Sequence, residues 1–301
     1  ASFYLVPQDS TLQKTELVSV SPKTYEITTN KEGNKLIKFR WDKPSKDTLS
    51  YSVVWDVNVS RLRYAIIDPG ELGKKSGFEE YLEIDNLTYW TGYMREKAES
   101  IIQGSNSTLE AARRLSAWIG KTITYDLACW QDSLSAEWVF SENRGVCDEF
   151  TNLFISMSRS VGIPVRYVEG LVYSGEEWNF HAWAEVYAGS WIPVDPTYNE
   201  VGFLDSSHIV LARVKTDSDI FNRLSWEGLN ANANFGEDDF QVDVRDSKSL
   251  SLFSSKIEMP LEVEGSERFN ISTKLKNLAN SYAVATCSVN MPVQMRLLDN
   301  N

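Results

Sequence analysis

The sequence is poor in the residues that most often build metal centres and disulfide frameworks. Two histidines in 301 residues exclude a His-rich cage, and the three cysteines form no Cys-x-x-Cys pair of the kind structural zinc needs. Three cysteines also exclude a disulfide-stapled miniprotein, and a chain of this length buries a core without staples. Basic residues are the minority, 30 Lys and Arg against 42 Asp and Glu, for a net charge of −12. Such a chain repels phosphate backbones, so nucleic acid is not an expected partner. No stretch approaches the roughly 18 apolar residues of a membrane span. The opening Ala1-Ser2-Phe3-Tyr4-Leu5 has no initiator Met, no basic n-region and no cleavage-site pattern. The expectation is a processed or trimmed chain, with a signal peptide or membrane anchor outside these ends left open.

What is present reads as an ordinary globular protein, 42% hydrophobic and 24% charged. Residues 1–75 alternate with period two, at Val18-Ser19-Val20-Ser21, Tyr25-Glu26-Ile27-Thr28, Lys35 to Trp41 and Tyr51 to Val59. Turn signals separate these runs, which predicts a small N-terminal β-sandwich-like domain with a structural or docking role. After Asp68-Pro69-Gly70 the pattern turns helical. Asn106 or Ser107 is a candidate N-cap for a helix carrying Ala111, Ala112, Leu115, Trp118 and Ile119 on its apolar side. Residues 76–215 form the expected α+β core. Residues 216–301 read as a β-rich region, a truncated or partial sandwich with strands near 261–263, 269–273 and 282–286.

Several motifs carry no function. Gly120-Lys121-Thr122 lacks the upstream Gly of a phosphate loop, since position 115 is Leu. Asp217-Ser218-Asp219 starts like a calcium loop but continues with Phe221 and Asn222. Asn58, Asn86, Asn106 and Asn270 each begin a glycosylation sequon, a lean towards an extracellular or cell-surface setting. Cys129 and Cys287 match no motif and are expected to be structural.

The informative stretch is Arg144-Gly145-Val146-Cys147-Asp148-Glu149-Phe150. Phe150, Leu153, Phe154, Met157 and Val161 fall on one helical face, Gly162 suits a C-cap, and Pro164 prevents continuation. Cys147 therefore stands at a helix N-terminus. Free N–H groups and the helix dipole there favour a thiolate, the nucleophilic form. Asp148 and Glu149 oppose this, but the spacing points them round the helix towards water, so a lowered thiol pKa is expected.

A second constellation follows. Phe180 to Tyr187 alternates like a strand, with His181, Trp183, Glu185 and Tyr187 on one face. Gly189-Ser190 makes a turn, and Trp191-Ile192-Pro193-Val194-Asp195 returns as a second strand. A hairpin of this length brings His181 near Asp195, and a carboxylate beside an imidazole fixes its tautomer and stabilises its cation.

Gly145-Val146-Cys147, Gly162-Ile163-Pro164-Val165-Arg166, His181-Ala182-Trp183-Ala184-Glu185-Val186 and Trp191-Ile192-Pro193-Val194-Asp195-Pro196-Thr197, in this order and spacing, resemble the transglutaminase-like core. The resemblance spans roughly residues 95–212. It implies an α+β fold related to papain-like proteases, with the Cys on a helix packed against an antiparallel sheet. It makes Cys147 the nucleophile, His181 the general base and acid, and Asp195 the residue orienting it. An oxyanion donor besides the Cys147 N–H is sought upstream, where animal members use a Trp, and Trp130 with its neighbour Gln131 is the candidate. Neither a cofactor nor a metal is expected, and the calcium dependence of animal members is not carried over. His208 and Asp205 lie inside the resemblance and are expected to share a structural hydrogen bond. Arg166 and Glu185 are expected to support the core or the rim of the cleft.

Three functions fit. The first is cysteine-dependent acyl transfer on peptide amides, with hydrolysis placed ahead of amine cross-linking and a peptide or protein as substrate. The second is a silent cleft that binds a peptide or glycan, and the third an amidase acting on glycans or cell-wall peptides.

Overall fold

A computed structural model describes residues 2–3, 6–60, 71–73, 76–130, 133–220, 224–225, 232, 234, 236, 240–248, 253–258 and 272–277. By contacts the chain divides into residues 1–247 and 248–301. The N-terminal strands are β1 (Ser2–Phe3), β2 (Gln13–Ser21), β3 (Tyr25–Thr29), β4 (Lys35–Phe39) and β5 (Ser52–Val59). They form a three-stranded sheet in the order β1-β4-β3 and a β2-β5 pair, all antiparallel. Val6, Val20, Ile37 and Phe39 make their shared core, with Leu17, Trp41, Tyr51, Val53 and Trp55 packed around it. In β4 the period-two alternation buries Ile37 and Phe39 and leaves Lys38 exposed, whereas β3 is exposed along its whole length.

The helical layer comprises α1 (Gly92–Ile102), α2 (Thr108–Thr122), α3 (Ala136–Glu142) and α4 (Cys147–Ser160). Ser107 is the N-cap of α2, its hydroxyl accepting from the Glu110 N–H at 3.1 Å, while Glu110 reaches back to the Asn106 N–H at 3.0 Å. Between α2 and α4 run β6 (Thr124–Tyr125) and β7 (Arg144–Gly145), which pair parallel. The sheet strands are β8 (Val165–Tyr173), β9 (Trp178–Tyr187), β10 (Trp191–Asp195), β11 (Glu200–Val201) and β12 (His208–Val214), in the order β11-β10-β9-β8-β12. All neighbours are antiparallel.

α4 is the centre of this layer. Every residue of it except Asp148 is buried, because α1, α2 and α3 pack on it from one side and the sheet from the other. The apolar face read from the sequence is therefore only part of a helix covered all round. Its polar residues find partners in the interior: Thr151 donates to the Ala182 carbonyl at 3.2 Å and Ser156 to the Tyr89 carbonyl at 3.0 Å. The helix ends as expected, with Gly162 at φ 80°, its N–H on the Arg159 carbonyl and the Ile163 N–H on the Ser158 carbonyl.

Gly170 on β8 is fixed by close approach. A Cβ there would meet the Ile209 carbonyl oxygen at 2.2 Å and the Trp183 ring at 2.3 Å. The N-terminal strands meet the sheet along β12: the Gln8 N–H donates to the Val210 carbonyl at 2.9 Å, and the side chains of Gln13 and Asn34 bond to the backbone of Val210 and Arg213. In the second unit, β13 (Phe253–Glu258) pairs antiparallel with β14 (Ser272–Asn277). The strands expected near 261–263 and 282–286, the Asn270 sequon and Cys287 lie outside the described residues.

Candidate active site

Cys147 is the first residue of α4, and its thiol is buried. The Glu149 carboxylate accepts the Val146 N–H at 2.9 Å, so Glu149 locks the helix entry from inside. Asp148 also turns inward: its Oδ1 accepts from the Cys147 thiol at 3.6 Å and from the Tyr167 hydroxyl at 3.1 Å. The expectation that both acids face water is corrected: Glu149 is buried, and Asp148 is half-buried with its carboxylate turned to the sulfur, because the neighbouring helices and the sheet pack round the start of α4. The lowered thiol pKa is overturned with it. Burial pushes the Cys147 thiol well above its ordinary value and Asp148 adds to this, while the Ala182 N–H works the other way. The sulfur is hydrogen-bonded to Asp148. It also lies against the hydroxyl of Tyr125, a phenol that burial and the sulfur keep protonated.

His181 and Asp195 come together as the hairpin dictates. β9 and β10 pair with Ala184 opposite Val194, so Asp195 lies diagonal to His181 on the same face. His181 Nε2 is 2.7 Å from Asp195 Oδ2, and both side chains are buried. This leaves His181 Nδ1 as the ring atom available to a thiol proton. The contact between the Cys147 sulfur and the Ala182 N–H brings Cys147 to the residue next to His181.

Asp195 carries more than one histidine. Its Oδ1 accepts the N–H groups of Thr197 and Tyr198, at 2.7 and 3.1 Å, and its Oδ2 also takes His208 Nε2 at 3.2 Å. Burial alone would raise this carboxyl, but the bonds from His181 and His208 hold it well below the usual range. His208 Nδ1 in turn lies 3.0 Å from Asp205 Oδ1. The Asp205–His208 bond expected from the sequence is therefore present, and it continues into Asp195. Sequence reasoning missed this second link, because the sequence alone does not show that β12, across β8 from β9, returns His208 to the end of β10.

His181, Asp195 and His208 have donor atoms close enough for a metal ion, as do Glu200, Asp205 and His208. Both His208 nitrogens are already engaged by carboxylates, and Asp195 Oδ2 is shared by two imidazoles. In the structure the three satisfy one another as hydrogen-bond partners.

Tyr198 packs on His181 at 5.3 Å between ring centroids, and with Tyr125 frames the cysteine. Trp130 is 54% exposed after the short turn Leu127–Cys129, and Gln131 lies outside the described residues. Tyr125 and Tyr198 carried no signal in the sequence beyond their position beside the motifs. Arg166 and Arg213 both pair with Glu185, and the Arg166 guanidinium lies 4.3 Å from the Trp191 ring centre, so this group braces the strands behind His181. Cys129 is buried, and neither it nor Cys147 is in a disulfide.

The model of the transglutaminase-like superfamily matches residues 95–196. Over 62 residues the chain is 39% identical to an uncharacterized protein of Mycobacterium leprae (strain TN), an alignment covering 18% of this chain and 22% of that one. It is 30% identical over 77 residues to the uncharacterized protein YebA of Bacillus subtilis (strain 168), covering 20% and 10%. The chain thus matches less than a quarter of either relative's length. Among solved structures, a proposed cysteine protease of Cytophaga hutchinsonii superposes with a TM-score of 0.53 at 19% identity, covering 72% of this chain and 76% of that one. At this identity the likeness speaks for the fold. The motif order, the helix-borne cysteine and the antiparallel strands β8 to β10 are all in place within residues 95–196, the stretch that matches the transglutaminase-like superfamily.

Proposed function

We propose that the chain is a cysteine-dependent acyl-transfer enzyme acting on peptide amides, with hydrolysis ahead of amine cross-linking. The observation that carries this reading is the buried 2.7 Å His181–Asp195 bond one residue from the sulfur-contacting Ala182. In the first step the Cys147 sulfur attacks the amide carbonyl while His181 Nδ1 takes the thiol proton. A C–S bond forms, the C–N bond breaks, and His181 returns the proton to the leaving amine. Water or a second amine then attacks the thioester, and its proton passes through His181 back to sulfur. Asp195 holds the ring in the required tautomer throughout. The oxyanion is held by the Cys147 N–H, in the first turn of α4 without an intrahelical acceptor, and by a second donor, which we assign to the Tyr125 hydroxyl ahead of Trp130 and Gln131.

We propose a peptide or protein substrate, and neither nucleic acid nor a metal enters the scheme. No described helix is long and apolar enough to cross a membrane. The exposed sequon residues Asn58, Asn86 and Asn106 support an extracellular or cell-surface setting as part of this proposal.

A thiol-reactive probe at neutral pH tests the scheme. Cys147 labels in the wild type, and His181→Ala labels far more slowly. Absence of labelling at Cys147, or equal labelling after His181→Ala, overturns it. Incorporation of a fluorescent primary amine into a glutamine-bearing acceptor, set against amine release from peptides, separates cross-linking from hydrolysis. Turnover that survives Cys147→Ala also overturns the reading.

A further inference from the structure

Asp195 Oδ2 accepts from two imidazoles, His181 at 2.7 Å and His208 at 3.2 Å, and His208 also bonds Asp205 at 3.0 Å. A carboxylate only accepts hydrogen bonds, so a ring held by a carboxylate at each nitrogen carries a proton on both. His208 is thus a buried imidazolium, lodged between two acids and 5.8 Å from the His181 ring centre.

We propose that His208 is a positioning residue that sets the basicity of His181, by fixing Asp195 in place and neutralising part of its charge. This rests on the acyl-transfer reading above.

Asp195 must stay ionised to hold His181 in the tautomer that presents Nδ1. A lone buried carboxylate at 2.7 Å would also bind the His181 cation so tightly that the ring would arrive already protonated, unable to accept the thiol proton. The His208 cation opposes exactly that outcome from the other side of Asp195.

The groups around His208 support a stable charge. Asp205 faces it from the preceding loop, Asp195 from the end of β10, Glu200 from β11, and His181 and Trp183 from β9, with Tyr198 at 6.2 Å. Burial works against the His208 cation, but the bonds from Asp195 and Asp205 raise it to about 9. Burial likewise works to raise Asp205, yet its bonds to His208 and Ser207 bring it down to about 2. Glu200 is raised to about 7, by burial first and then by Asp205.

The test has a part that needs no substrate and no reactive cysteine. The chain has only two histidines, so the imidazole ¹⁵N spectrum has two sets of signals, and His208→Gln assigns them. In the wild type at pH 7.5 His208 shows two protonated nitrogens and stays cationic up to about pH 9. A neutral His208 at pH 7.5 overturns the proposal whether or not Cys147 proves to be a nucleophile.

The second part follows Cys147 alkylation from pH 4 to 9. In His208→Gln the amide still bonds Asp195 but carries no charge. The midpoint of the acid limb then moves up by roughly one to two pH units, the size expected for removing one charge at this separation in a partly shielded interior. Asp205→Asn, on a half-exposed side chain, removes an anion while His208 keeps its bond to Asp195, so it moves the midpoint the opposite way by less and guards against a variant that fails to fold. Profiles that superimpose on the wild type in both variants, or that fall equally at every pH without a shift of midpoint, overturn the proposal. Absence of labelling in the wild type instead overturns the nucleophile assignment.

Discussion

The Cys147 thiol donates to the carboxylate of its own chain neighbour, Asp148, at 3.6 Å. Asp148 is held there by Tyr167, whose hydroxyl bonds the same Oδ1, and Tyr167 also lies 3.4 Å from Glu169. The proposed nucleophile thus starts beside a carboxylate, in a buried setting. A substrate that brings a cation to this spot would relieve the opposition, whereas an acidic one would add to it.

Removing that charge should awaken the thiol. Asp148→Asn keeps the shape and the bond to Tyr167 while cancelling the repulsion that helps push Cys147 up. The pH midpoint of iodoacetamide labelling should fall by roughly one unit, which raises the rate at pH 7 about tenfold. An unchanged or higher midpoint would show that burial alone holds the proton.

Tyr125→Phe separates two roles of one hydroxyl. If the phenol donates to the oxyanion, amide turnover falls by roughly 10²-fold, the usual cost of one such donor, while iodoacetamide labelling, which forms no oxyanion, changes far less. Equal loss in both assays would assign Tyr125 to the thiol instead.

Glu149 carries a pH signature of its own. Burial raises its carboxyl to about 7, against the pull of the Val146 N–H. The folded state then holds a proton that the unfolded chain releases near 4.5, so this group's share of stability is full below about 4.5 and is lost as pH rises through about 7. Glu149→Gln should remove that share of the decline while keeping the bond to Val146. Urea midpoints at pH 5 and pH 7.5 measure it: the wild type loses more between the two than the variant, and parallel losses would refute the assignment.

Arg159 is a charge in the last turn of α4, 2% exposed. Its guanidinium donates to the carbonyls of Glu83 at 2.6 Å, Val165 at 2.9 Å and Lys215 at 2.5 Å. Burial draws its pKa down to about 10, so it remains a cation at neutral pH. Arg159→Met fills much of the volume but strands three carbonyls, one buried and two part-buried, and should cost about 3 kcal/mol in chemical denaturation. A loss under ~1 kcal/mol would mean that water replaces the guanidinium.

The core was legible because its signals are local. Ser107 followed by Glu110, Gly162 followed by Pro164, and the hairpin around Gly189-Ser190 each depend on a few consecutive residues, and each appears where its chemistry requires. The His181–Asp195 bond is one step beyond that, since two paired strands suffice to place it. What escaped is set by distant elements. Asp148 and Glu149 read as wet because a helical wheel shows the angle of a side chain but not what packs outside it. His208 read as a local partner of Asp205 because its bond to Asp195 depends on the whole sheet order. Tyr125 reaches the sulfur only through the parallel pairing of β6 with β7, a contact that has no short-range signature.

The side-chain amides along β12 have a consequence for the solubility of the whole protein. β12 ends its sheet, and an unpaired outer strand recruits other strands. Gln13 donates to the Val210 carbonyl at 2.9 Å and accepts its N–H at 2.8 Å, and Asn34 does the same for Arg213 at 2.7 and 2.8 Å. Each amide imitates one peptide unit of an additional strand, so the hydrogen-bonding positions a foreign chain would use are already taken. The N-terminal segment is in this sense an edge guard, and the strand it guards is the one that carries His208.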